Sequence, residues 1–160
     1  MRTIASLEEL AGLEGQHIGT SNWIEITQEQ VNLFADATGD HQWIHVDVER
    51  ARRESPYKAP IAHGFLTLSL LPRLMQEAVE FPSVKMGVNY GLNKVRFTGP
   101  VPVGSRLRAQ LKLLKAEPLP PPPGNPELTS GAQVTMEVTI EREGSDRPVC
   151  VAESISRRYQ

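Results

Sequence analysis

Cysteine is nearly absent: Cys150 stands alone, so no disulfide can close within the chain and nothing points to an oxidising compartment. An excess of charge is missing too. Seventeen Lys and Arg against nineteen Asp and Glu leave a net charge of −2, which gives no electrostatic footprint for nucleic acid or an anionic membrane. No apolar run approaches the ~20 residues that a membrane helix needs. The stretch Met1–Glu14 carries one arginine and several glutamates without a long apolar run, which argues against a signal peptide. G-x-S-x-G, P-loop and G-x-G-x-x-G motifs do not occur, and there is no internal repeat. What remains is 160 residues with 39% hydrophobic and 22% charged side chains. That composition describes one globular domain over residues 1–160, large enough to bury a core, with the cytoplasm as its expected location.

Along the chain, Ile18, Trp23, Ile24 and Ile26 suggest a first strand within Gln16–Ile26, although the alternation is poor. Thr27 precedes Gln30 by three positions, the spacing of a capping box. Val31, Phe34, Ala35 and Thr38 then recur at helical intervals, and Gly39 is suited to end that helix. Asp40–Pro60 reads as a long polar loop with at most a short helical turn. From Ala62 to Val79 the apolar residues fall on nearly every face, which predicts a helix buried on most sides, kinked or interrupted at Pro72. Four strands follow at Val84–Phe97, Ser105–Glu117, Ala132–Arg142 and Pro148–Tyr159, the last two joined by a tight turn at Glu143–Asp146. Pro118–Gly131 holds six of the thirteen prolines and reads as a stiff surface loop between strands. This order is α+β: an antiparallel sheet wrapped round one apolar helix, with its edges and polar loop left for a second copy to cover.

Residues of catalytic type crowd into Asp36–His63: Asp36, Asp40, His41, His45, Asp47 and His63, including three of the four histidines. A histidine beside a carboxylate can hold and deprotonate a water, because the carboxylate fixes the tautomer and stabilises the imidazolium. Asp40 and His45 could converge in this way; an Asp cap and a solvated loop histidine would explain the same residues. His41 and His45 are four apart, a zinc spacing only on a helix, and no third ligand stands at a standard interval, so no metal is expected. Cys150 lies between Val149 and Val151, as inert core cysteines do. Ile61-Ala62-His63-Gly64-Phe65 opens the apolar helix. Unpaired N–H groups at a helix start, beside a glycine that permits close approach, suit an oxyanion hole; a glycine needed only for packing is the alternative.

The run Phe34-Ala35-Asp36-Ala37-Thr38-Gly39-Asp40-His41-Gln42-Trp43-Ile44-His45, with Ala51 beyond it, resembles the hydratase-2 signature of MaoC-like proteins. That signature is an aromatic, Thr/Ser-Gly-Asp, any residue, Asn-Pro, an aliphatic, His and then a small residue. Ala62-His63-Gly64-Phe65-Leu66-Thr67 resembles the segment that opens the family's central helix. Asn93–Phe97 and Pro100–Gly104 resemble its next strand and turn. The likeness runs from about Trp23 to the C-terminus and is strongest to the nodulation-protein-N-like branch.

The resemblance implies a hotdog fold, usually dimeric, acting on acyl thioesters of coenzyme A or acyl carrier protein held in a tunnel near the dimer interface. It places Asp40 and His45 on the catalytic pair and Gly64 on the backbone N–H that polarises the thioester carbonyl. It further implies reversible hydration of a trans-2-enoyl thioester to the (R)-3-hydroxyacyl product, with no metal or other cofactor. The signature's Asn-Pro is Gln42-Trp43 here. Gln42 keeps the amide on a longer arm, and Trp43 could reshape the tunnel, so the departure bears on acyl preference. His63 is a supporting candidate. A thioesterase and a non-catalytic acyl-thioester binding subunit are the competing readings; the presence of both Asp40 and His45 favours hydration.

Overall fold

A computed structural model describes residues 1–160. The chain opens with β1 (Arg2–Thr3), α1 (Leu7–Ala11), β2 (His17–Thr20) and β3 (Ile24–Glu25). Three helices follow: α2 (Gln28–Thr38), α3 (Trp43–Val46) and α4 (Val48–Glu54). The apolar stretch forms α5 (Gly64–Ser69) and α6 (Leu71–Ala78), continued by β4 (Val79–Glu80). Four long strands complete the chain: β5 (Met86–Phe97), β6 (Arg106–Leu119), β7 (Gly131–Arg142) and β8 (Cys150–Tyr159).

The main sheet is antiparallel in the order β2-β6-β7-β8-β5, with β3 also paired to β6. Alternation sets its inner face. Leu107, Ala109, Leu111 and Leu113 of β6 and Val134, Met136, Val138 and Ile140 of β7 are all buried. They join Leu66, Leu71, Leu74 and Ala78 of the helices in one cluster of 26 buried residues. The sheet therefore curls round the helical segment, and the chain adopts the hotdog fold that its sequence implies.

Several expectations need correction in detail. The first strand is two short ones, because Ser21 interrupts it: its N–H donates to the Ala109 carbonyl while its hydroxyl accepts the Ala109 N–H, both at 2.9 Å. The loop after α2 holds two helices, since Asp47 caps α4 through the Arg50 N–H at 2.9 Å. The apolar helix is divided at Leu70, and Pro72 sits in the first turn of α6, where its missing N–H costs no helical bond. It is also less enclosed than its composition suggests. Phe65 is 69% exposed, and Arg73 and Gln76 face solvent, so the buried stripe is one-sided. The expected turn after β7 is present, the Ser145 N–H donating to the Arg142 carbonyl at 3.0 Å, but β8 begins only at Cys150, so the link between the two strands runs over 143–149. The expected cap of α2 is present on both counts: Thr27 and Gln30 form a complete capping box, and Gly39 closes the helix at φ 80°.

β5 lies at the sheet edge and is exposed along most of its length, Val88, Tyr90, Leu92 and Phe97 included. No helix is long and apolar enough to cross a membrane.

Candidate active site

Gly39 decides where the site begins. In the left-handed conformation it donates its N–H to the Ala35 carbonyl at 2.8 Å and turns the chain out of α2. Asp40 follows at once, its carboxylate accepting the Gln42 N–H at 3.4 Å. The single turn of α3 then carries His45 inward, where it is 7% exposed.

Two bonds hold His45 directly and a third fixes the residue that anchors it. Its Nδ1–H donates to the Ile61 carbonyl at 2.6 Å, the Ile61 N–H donates to the Ile44 carbonyl at 3.0 Å, and the Gln28 amide donates to the His45 carbonyl at 2.8 Å. A carbonyl only accepts, so Nδ1 bears the proton in the neutral ring and Nε2 is left as a lone pair. Burial lowers the His45 pKa below its usual value; the bond to Ile61 opposes this, the neighbouring His63 adds to it, and Asp40 opposes it. The ring is thus kept uncharged near neutrality, with Nε2 available to accept a proton.

His63 assembles the rest. It is 3% exposed and stacks on His45 with ring centroids 3.9 Å apart and planes 25° apart. Phe34 of α2 lies against it, 5.0 Å between centroids. The His63 Nε2–H donates to the Asp40 backbone carbonyl at 2.9 Å, with an Asp40 carboxylate oxygen 4.0 Å from the same nitrogen. Its Nδ1 is buried without a partner.

Asp40, His45 and His63 thereby present ligand-type atoms within 4.8 Å of one another, and these are the side chains that could approach a cation. A metal lies in the plane of each imidazole it binds, about 2.0–2.1 Å from the nitrogen. Two rings stacked at 3.9 Å and nearly parallel offer no such common point, so the arrangement suits a bound water better than a metal.

The six polar residues of the sequence window are divided by the fold. Asp36 and His41 pair with each other on the surface at 2.9 Å, which raises the His41 pKa, and they stand outside the site. Asp47 is a helix cap. Gln42 reaches Asp40 and His45 through its backbone, donating to one and accepting from the other. Trp43 lies under the Arg50 guanidinium, 4.5 Å from the ring centroid.

Gly64 adjoins His63 in sequence but faces a cavity of about 330 Å³ lined by Tyr57, Ile61, Thr67, Phe97 and Val101, to which Asp40 and His45 do not contribute. As the first residue of α5 its N–H has no partner within the helix. A Cβ added there would stand 2.8 Å from the Phe97 ring, so close packing also requires this glycine. Cys150 is buried, its thiol pKa pushed up to about 11 by burial, and is no nucleophile. Gln28 was not legible as part of the site; nothing in its surroundings in the sequence distinguishes it from a surface glutamine. The contact that recruits it spans seventeen positions.

Residues 9–118 match the family described as MaoC like domain. Over 157 residues the chain is 55% identical to a protein of Mycobacterium tuberculosis named 3-hydroxyacyl-thioester dehydratase Z, covering 98% of each. It is 42% identical over 152 residues to Nodulation protein N of Rhizobium meliloti, covering 94% of this chain and 89% of that one. Among solved structures, a monoamine oxidase regulatory protein from Archaeoglobus superposes with a TM-score of 0.73 at 22% identity, covering 99% of this chain and 97% of that one. The chain belongs to the MaoC-like domain family.

Proposed function

We propose that the chain is an (R)-specific enoyl-thioester hydratase and dehydratase, with Asp40 and His45 as its catalytic pair. The observation that carries this reading is the tautomer of His45. The Ile61 carbonyl holds the proton on Nδ1, which leaves Nε2 free to accept one, and His45 and the Asp40 carboxylate offer ligand-type atoms within 4.8 Å of each other. The relative named as a 3-hydroxyacyl-thioester dehydratase, matched end to end at 55% identity, supports the same chemistry.

In the forward direction His45 Nε2 and the Asp40 carboxylate hold one water between them. As the water oxygen bonds to C3 of a trans-2-enoyl thioester, a proton of the water passes to the pair. The electron pair of the double bond moves toward the thioester carbonyl, and its oxygen gains negative charge that the Gly64 N–H meets from the adjoining cavity, which shares Ile61, the residue that anchors His45, with the pair. The pair returns a proton to C2, so water is consumed and no net proton is gained or lost. The product is the 3-hydroxyacyl thioester, and the step needs no redox partner. His63 fixes Asp40 through the backbone and supports His45 from below. Gln42 sets the turn that separates the two, and Trp43 stacks under Arg50 beside that turn.

A homodimer is part of the proposal. The bare edge of β5 offers unpaired backbone groups beside exposed Val88, Tyr90 and Leu92, which a second β5 could cover. The working unit is then one domain over 1–160, duplicated, acting on coenzyme A or carrier-protein thioesters in the cytoplasm.

Crotonyl-coenzyme A with purified protein tests the chemistry. Loss of the conjugated enoyl absorbance without release of free thiol, abolished by Asp40→Asn and by His45→Gln, is the expected result. Thiol release would make the protein a thioesterase. Silence with both short and long enoyl chains would leave a binding subunit.

A further inference from the structure

The inner face of β8 changes character along its length. Cys150 and Ala152 are buried in the core, but the next three inward positions are Ser154, Ser156 and Arg158. Alternation puts all five on the side of the sheet that faces the helices, where an apolar residue is the rule. These three polar side chains line a cavity of about 560 Å³ between α6 and β5, opposite Met75 and Val79. A second cavity of about 380 Å³, lined by Leu68, Leu71, Tyr90 and Leu92, shares Pro72, Met75, Asn89 and Ser154 with it. Together they form a track along the helical segment, apolar toward Leu68 and polar at the far end.

Arg158 is the unexpected member. Its guanidinium stacks on Phe81, 4.2 Å from the ring centroid, and its Nε is buried without a hydrogen-bond partner. Burial pulls its pKa down to about 10, and no carboxylate is near enough to oppose that. The one acid lining the cavity, Glu80, is exposed and accepts from the Thr3 hydroxyl at 3.3 Å. A desolvated cation without a counter-ion is costly, and an Arg fork matches a carboxylate with two parallel bonds.

We propose that this cavity receives the distal end of an acyl chain that terminates in a carboxylate, with Arg158 as its counter-ion and Ser154 and Ser156 as further donors. The substrates then include ω-carboxyacyl thioesters. The inference rests on the hydratase reading for the position of the thioester at Gly64. Gly64 to Met75 is eleven residues, about 16 Å along the helical axis at ~1.5 Å per residue. Short acyl groups therefore stop well before Arg158, and the preference for a carboxylate appears only above a threshold length.

Two length-matched series of saturated acyl-coenzyme A ligands, one methyl-ended and one ω-carboxylated, are titrated calorimetrically into the wild type, Arg158→Gln and Arg158→Lys. Crotonyl-coenzyme A hydration is followed in parallel. The expected result is that long ω-carboxylated ligands bind the wild type roughly tenfold or more tightly than their methyl-ended partners. Arg158→Gln loses that advantage, Arg158→Lys keeps part of it, and the KM for crotonyl-coenzyme A is unchanged. The proposal is overturned if the methyl-ended series binds as well at every length, or if Arg158→Gln leaves the ratio intact. It is also overturned if Arg158→Gln weakens short and long ligands alike, because Arg158 would then hold the carrier's phosphates. Should both Arg158 variants fail to fold, Ser156→Leu obstructs the cavity with the guanidinium in place and should abolish the ω-carboxylate advantage; retention of it refutes the proposal. Binding of saturated ligands needs no turnover, so failure of crotonyl hydration alone would count against the hydratase reading only.

Discussion

Replacing His63 isolates what the stacked imidazole does for the site. His63→Leu removes the donor to the Asp40 carbonyl at 2.9 Å and the ring stacked on His45 at 3.9 Å. One lost hydrogen bond costs about 1 kcal/mol net, and here the loss is softened, because the unpartnered Nδ1 disappears with it. Leucine fills most of the volume, so the melting temperature should fall by only about 2–4 °C per kcal/mol lost. Activity should suffer far more. Asp40 is otherwise tied only by a long 3.4 Å bond from its own loop, and misplacing a member of the proposed catalytic pair by about 1 Å can cost roughly 100-fold. His63→Gln is the control. Its amide can still donate to the Asp40 carbonyl, so much of kcat should return. The ionisable ring is gone, however, and its contribution to the lowered His45 pKa goes with it. The acid limb of the kcat/KM profile should therefore move to higher pH in His63→Gln. Wild-type kcat/KM for His63→Leu, within a few-fold, together with an unmoved acid limb for His63→Gln, would refute the positioning role.

Three further outcomes follow from the same geometry. The folded state holds His45 with a pKa below 6.5, so it resists protonation that the unfolded chain accepts; that contribution is fully present above pH 6.5 and is lost as pH falls toward the folded value. Thermal denaturation across this range should show the loss, and His45→Gln should flatten it. Gly64→Ala should lower kcat and cost stability, since its Cβ meets the Phe97 ring at 2.8 Å. Adding Phe97→Ala relieves the clash, so activity regained in the double variant would mean that packing alone requires the glycine. Cys150 should resist a thiol reagent at pH 8 in the native protein and react once denaturant is added, because its thiol is buried with a pKa pushed up to about 11; rapid native labelling would contradict its burial.

The candidate site was legible to the extent that it is local. Asp40 and His45 stand five apart round a turn that a capping box and Gly39 announce, and all of those signals act within a few residues of one another. Long alternating segments showed their strands for the same reason. β1 and β4 did not show, because two residues gain strand character only by pairing across the 77 positions between Arg2 and Val79. α3 and α4 lay hidden in a polar segment whose helical turns depend on the Asp47 cap and on packing against α2. The helical segment looked enclosed on most sides because leucines mark apolar character without marking which face the sheet covers.

By itself, then, the sequence determined the α+β class, the helix that delivers Asp40, the turn that follows it and the family likeness written into that turn. Only the tertiary structure decided which histidine lies on which. It parted His41 from the site and laid His63 on His45. It also turned Arg158 inward at the end of a cavity. Short-range propensity acts through bonds a few residues apart, whereas these contacts join residues brought together by strand register and helix packing. Such contacts exist once the core has closed, and no local pattern of residues records them.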